Sequence, residues 1–259
     1  MGVELTLSLE TLYGFLLVLT RVGGAFTFVP LPGFRDTPVA ARMVVVLSLT
    51  CALMPLWPSV AVAEATPGRL ALWVVAEAGL GMTVGLAVAF LNEAFVVGSQ
   101  LLGLQAGYAY ASTIDPTTQA DSSVLQIFSQ LAASLLFFAL GMDAQVIRAF
   151  ALSLETIPPG TFVIGTGAAG ELIRLGSGMF LTGLRLALPV VAILVLMDLA
   201  LALLGRIHEK LQLLSLAFAV KMSVAMVVIA SLAAMLPGQY EAQAEKTVRV
   251  LRGVLNASR

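Results

Sequence analysis

The chain has 259 residues, of which 59% are hydrophobic and only 11% charged, with 14 Lys and Arg set against 15 Asp and Glu. A soluble domain carries roughly 25% charged residues to cover its surface, so this composition, with a mean hydropathy of +0.98, excludes a water-soluble globule. The net charge of −1 supplies no basic field and excludes a general nucleic-acid binder.

The apolar residues come in blocks long enough to cross a hydrocarbon core, which takes about 20 residues of helix. No alternation of apolar and polar residues suggests barrel strands, so the expected fold is all-α, a polytopic membrane-type helical protein. The start, "MGVELTLSLE", places acids before the first apolar run and reads as a retained end. That first block runs about Leu9 to Val29 and stops at "VPLPGFRDTP". A second block, about Val39 to Trp57, ends at "PLWPS", with Trp57 as a candidate interfacial anchor. The third, Leu70 to Gly107, is interrupted only by Glu77, Asn92 and Glu93. It would reach about 55 Å as one helix, against a hydrocarbon core of roughly 30 Å.

A polar, turn-rich break follows, "GYAYASTIDPTTQADSS", Gly107 to Ser123. A fourth block starts at Val124 and continues through "GMDAQVIRAFALSLETI" to "PPG". The fifth, about Leu172 to Leu204, is again overlong and carries Arg174, Arg185, Pro189 and Asp198. After "GRIHEKLQ" comes a last block, Leu213 to Leu236, and a more polar tail to Arg259. The distribution of Lys and Arg over the connections gives no coherent orientation for six simple spans. The expectation is that other protein subunits, as well as membrane lipid, cover some of these apolar faces.

Chemistry is sparse. Cys51 and His208 are the single cysteine and histidine, so no disulfide, CxxC site or His-based metal cluster is available. No HExxH, GxSxG, P-loop or GxGxxG motif is present, and neither a cofactor nor an enzymatic activity is expected. Glu77 and Glu93 stand sixteen residues apart, a rotation of about 160° beyond whole turns, so they face nearly opposite ways and form no carboxylate pair. For Glu77, Arg185 and Asp198 the plain reading is ion pairing between helices, with a proton-relay or substrate role as the sharper one. Gly81 and Gly85, like Gly103 and Gly107, are small-xxx-small pairs that permit close helix approach, within this chain or on a partner. Gln100 and Gln105 are uncharged polar groups suited to hydrogen bonding across an interface.

These residues carry a resemblance. "AEAGLGMTVGLAVAF…GSQLLGLQAGYAYASTIDP" and "GMFLTGLRLALPVVAILVLMDLALALLGR" are similar to the signature stretches of the FliR/SctT family of type III secretion export gate subunits, the flagellar branch above all. The similarity covers about Leu9 to Leu236. The sequence departs from the family pattern in "AFAVK", where Ala217 and Ala219 replace a glycine and a proline while Phe218 and Lys221 are kept. Glu209 and Lys210 stand where a Pro-Gln pair is expected, and Gly141 is followed by Met142 rather than histidine.

The resemblance implies a core subunit of the flagellar export gate in the basal body, in the bacterial inner membrane. There it would assemble with FliP and FliQ into a channel for unfolded flagellar proteins, with FlhB at the entrance and FlhA nearby. It implies long broken helices and hairpins in a single unit spanning 1–259. About 1–205 would be FliP-like, and about 206–259 would be a FliQ-like hairpin with its tail. It further implies that 107–123 is a plug.

The composition of that loop agrees with a buried position. Asp115-Pro116 initiates a turn, and Ser112, Thr113, Thr117 and Thr118 can satisfy backbone groups locally. Irregular chain at membrane depth is tolerated only inside protein or along a watery cavity. On the resemblance, Gly107, Tyr108, Tyr110, Ser112, Thr113, Ile114, Asp115, Pro116, Thr117 and Thr118 are the expected plug residues; an exposed cytoplasmic or periplasmic connector is the alternative reading of the loop. Glu77, Gly81, Gly85, Gln100, Gly103, Gln105, Arg185, Pro189, Asp198 and Lys221 are the expected helix-packing or intersubunit residues. Two other readings compete: an independent secondary transporter coupled through Glu77, Asp198 and Arg185, and an assembly scaffold with no gating role.

Overall fold

A computed structural model of the chain describes residues 8–29, 38–58, 65–107, 124–161, 166–207 and 213–257. Among the described residues every regular element is helical: α1 (Leu9–Phe26), α2 (Val39–Ala52), α3 (Pro67–Ala106), α4 (Val124–Ala139), α5 (Met142–Thr156), α6 (Thr166–Ile207), α7 (Leu213–Leu232) and α8 (Leu236–Ala257). The chain is thus an all-α polytopic membrane protein. Short 3₁₀ turns follow α2 (Met54–Leu56) and join α7 to α8 (Ala233–Met235).

Four stretches are long and apolar enough to cross a membrane: Leu9–Phe26, Pro67–Ala106, Ala169–Arg206 and Ala219–Gly253. The pair α4 and α5 makes a fifth if its 63° bend is counted within one span. The second apolar block is shorter than its sequence suggests. Its helix has 14 residues, about 21 Å, because Leu53 leaves the helix and Pro55 follows it in the 3₁₀ turn. The fourth block breaks at Gly141, whose φ of +64° only glycine adopts without strain. The third block neither bends back nor breaks; α3 is continuous over 40 residues.

Contacts divide the chain into two compact units. Unit 1 contains 1–90, 137–176 and 244–259, and unit 2 contains 91–136 and 177–243. In unit 1, α1 lies on the first half of α3 at a distance that excludes side chains. A Cβ on Gly81 would run into the Arg21 carbonyl, one on Gly85 into Ala25, and one on Gly24 would come within 2.6 Å of the Ala78 carbonyl. Successive four-residue steps on both helices, 77-81-85 and 21-25, form the ridges that interdigitate. Leu80 and Ile157 pack together beside this seam. Trp57 packs its ring at a tilt against Phe15, centroids 5.2 Å apart, and donates its indole N–H to the Thr50 carbonyl, so it closes the α2 turn within the unit.

In unit 2 the second half of α3 meets α6 through another glycine contact, where a Cβ on Gly183 would stand 2.8 Å from the Ala94 carbonyl. The core here is Ala106, Val190, Leu194 and Ala225, from α3, α6 and α7. Small residues at these positions allow helix backbones to approach, which drives association where lipid is as apolar as the side chains.

Candidate functional site

Two clusters of charge and one neutral polar pair are set into the apolar helices. The first cluster centres on Arg21, 1% exposed, and Glu77, fully buried. Arg21 Nε donates to Glu77 Oε2 at 2.5 Å. Its Nη1 donates to the Ser153 carbonyl at 2.8 Å and to Ser153 Oγ at 3.2 Å, and its Nη2 to the Ile157 carbonyl at 2.9 Å. The other carboxylate oxygen, Oε1, accepts the Gly160 N–H at 2.9 Å.

The cluster answers two separate costs. A helix leaves its last carbonyls without partners and carries partial negative charge at that end. At the end of α5, Arg21 donates to the C-cap Ile157 carbonyl and adds a second donor to the Ser153 carbonyl, which also accepts the Ile157 N–H. The proline pair Pro158-Pro159 then prevents the helix from continuing, and Gly160, at φ +90°, turns its N–H back to Glu77. A Cβ at Gly160 would also come 3.3 Å from the Trp73 ring. One ion pair thereby ties α1, α3 and the α5 terminus into unit 1.

The second cluster lies in unit 2. Asp198 Oδ2, on α6, accepts from Lys221 Nζ of α7 at 2.8 Å and from Gln105 Nε2 of α3 at 3.0 Å. Here the burial is uneven, with Lys221 at 15% and Asp198 at 46% side-chain exposure. The neutral pair is also in unit 2. Tyr240, at the start of α8, is completely buried and donates its hydroxyl to Asn92 Oδ1, while its ring lies 5.0 Å from Phe95. One turn on, Gln243 accepts from Thr182 Oγ1 at 3.3 Å.

The structure brings Glu77, Gly81 and Gly85 together on one stripe of α3 facing α1, and Gln105, Asp198 and Lys221 together as a triad. Gly103 is buried near the end of α3, and Gln100 is exposed one turn before Leu104, itself 68% exposed. Arg185 and Pro189 are both exposed and occupy successive turns of one face of α6. Because Pro189 has no N–H, the Arg185 carbonyl lacks its usual helical donor. Gly107 ends α3 at φ +87°. Tyr108, Tyr110, Ser112, Thr113, Ile114, Asp115, Pro116, Thr117 and Thr118 lie outside the described residues.

Arg21, Asn92 and Tyr240 complete these clusters and were not singled out from the sequence. Arg21 had a visible signal: it is the one cation in the apolar run of α1, as Glu77 is the first anion in that of α3. Tyr240, in a polar tail, had none. No group of three or more His, Cys, Asp or Glu that could hold a metal occurs among the described residues.

The sequence profile of the bacterial export proteins, family 1, matches residues 12–247. The chain is 28% identical to the flagellar biosynthetic protein FliR of Escherichia coli (strain K12), over 83% of this chain and 82% of that protein. It is 31% identical to FliR of Pectobacterium carotovorum over 61% of this chain and 60% of the relative. To FliR of Bacillus subtilis it is 25% identical over 83% and 84%.

Proposed function

The chain belongs to the bacterial export proteins, family 1, and on that premise we propose that it is a channel-forming core subunit of the flagellar protein export gate. Family membership and the apolar helices make it a membrane-associated component of the flagellar export apparatus. The finer reading is that it joins FliP and FliQ in the bacterial inner membrane, with FlhB and FlhA adjacent, around a path for unfolded flagellar proteins. Residues 107–123 are its plug, about 1–205 its FliP-like part and about 206–259 its FliQ-like part. The chain catalyses no reaction in this role.

One observation carries the proposal: the membrane-length helices of unit 2 present polar groups outward. Arg185 and Gln100 are exposed, and Asp198 is half exposed. A charged side chain facing hydrocarbon costs about 2.5–3.5 kcal/mol even on the mildest scale. Such a surface is stable against protein or water and unstable against lipid. Only 17% of the most apolar part of Ala169–Arg206 is buried by the chain itself, so its remaining surface is open to lipid or to partner subunits. Partner subunits of matching chemistry would cover it.

The test is deletion of residues 112–121 in a cell that depends on this chain for motility. The complex with FliP and FliQ should still co-purify, and the membrane should leak ions. A tight membrane with normal export would reject the plug, and failure to co-purify with either partner would reject the channel. Ion-coupled solute uptake by the purified chain alone in vesicles would establish the transporter reading instead.

A further inference from the structure

Unit 1 contains a groove of about 420 Å³ between α5 and α8, within the range of small-ligand sites. Its apolar wall includes Val146, Leu152, Val248 and Leu251, and its charged groups are Arg148 and Arg252; no carboxylate lines it. Both arginines are exposed. Among the described residues, neither takes part in an ion pair or side-chain hydrogen bond. On each helix the acid that shares the arginine's face stands seven residues away, Glu155 on α5 and Glu245 on α8, about 10 Å along the axis. Asp143 points some 140° away from Arg148 around α5, whereas Arg249 lies one turn from Arg252 and adds to the positive field.

We propose that this groove binds one anionic phospholipid, its phosphate held by Arg148 and Arg252 and its acyl chains laid along the apolar wall. Charge complementarity selects an anion, because two guanidinium groups stand over a lining without acids. A guanidinium forks onto phosphate oxygens through two parallel N–H bonds. The apolar wall selects an amphiphile over a free ion. The location selects lipid over an acidic peptide, because α5 is one arm of the bent pair that, together with α4, is long and apolar enough to cross a membrane. Basic pockets beside such helices attract anionic headgroups. This assignment is independent of the export reading.

The full chain in detergent would be titrated with phosphatidylglycerol and, separately, with phosphatidylcholine of the same acyl chains, and followed by native mass spectrometry. Phosphatidylglycerol should be retained and phosphatidylcholine lost. Arg148→Gln with Arg252→Gln should weaken phosphatidylglycerol about 25-fold, two guanidiniums at roughly fivefold each. Arg148→Lys with Arg252→Lys should restore most of it. Equal retention of the two lipids, or no loss in the Gln pair, overturns the proposal. So does displacement of the lipid by millimolar inorganic phosphate, which marks a free-anion site. Crosslinking of an acidic partner helix at Leu152 in native membranes, with lipid binding unchanged in the Gln pair, would reassign the groove to a protein. Because both arginines are exposed, the Gln pair should melt at the wild-type temperature, which separates lost binding from lost folding.

Discussion

The Arg21–Glu77 pair of unit 1 and the Lys221–Asp198 pair of unit 2 each join a cation to a carboxylate on apolar helices, yet their exposures are 1% and 0% in the first and 15% and 46% in the second. In unit 1 every guanidinium nitrogen and both carboxylate oxygens have partners from the same chain. In unit 2 the carboxylate remains half open. Burying ions costs several kcal/mol each, and only a full set of hydrogen bonds offsets that. The first cluster therefore belongs to a fold that the chain completes alone. The second leaves part of its carboxylate on the chain's own surface. The helices that carry them differ likewise: 44% of the most apolar window of α3 is buried, against 6% for Ala219–Gly253.

The sharpest way to break this comparison is to remove one member of the buried pair. Glu77→Ala should destabilise the chain by about 3–5 kcal/mol, because it leaves a guanidinium buried without its counter-ion. Thermal unfolding in detergent measures this, and Arg21→Met with Glu77→Leu should recover much of the loss. A double variant as unstable as the single one would show that the pair does not act as a unit.

A smaller effect is expected from Gly81→Leu, about 1–3 kcal/mol, because its Cβ meets the Arg21 backbone rather than a movable side chain. Gly178→Ala is the control. Nothing stands within 4 Å of a Cβ there, and removing a helix-interior glycine should stabilise by about 0.5–1 kcal/mol. Next comes Tyr240→Phe, which keeps the ring and strands buried Asn92 without its hydroxyl partner. The expected cost is about 1–2 kcal/mol, read as a lower melting temperature and earlier proteolysis of α8.

The smallest stability effect sharpens the contrast most. Asp198→Asn should cost the isolated chain at most about 1 kcal/mol, since a half-exposed ion pair contributes little. If its surface meets a partner subunit, the same variant should reduce swimming motility far more than that change in stability accounts for. Wild-type motility with wild-type stability would make the triad a passive surface feature.

Composition alone determined the class, because a chain with so few charges has no means of covering a water-facing surface. The sequence likewise determined the helical blocks, the stop signals at the proline pairs and the glycines of the α1–α3 seam. These are local consequences of side-chain size and backbone freedom, so they are legible without coordinates. The tertiary structure decided which partner each polar group found. Glu77 met Arg21 across 56 positions and Asn92 met Tyr240 across 148, and no periodicity in sequence encodes such distances. It also decided that α3 is one unbroken helix while the α4–α5 block breaks at Gly141. The physical reason is that a buried charge or hydroxyl in an apolar helix states only that a partner must exist. Packing alone, through the approach that the glycines allow, determines which residue it is.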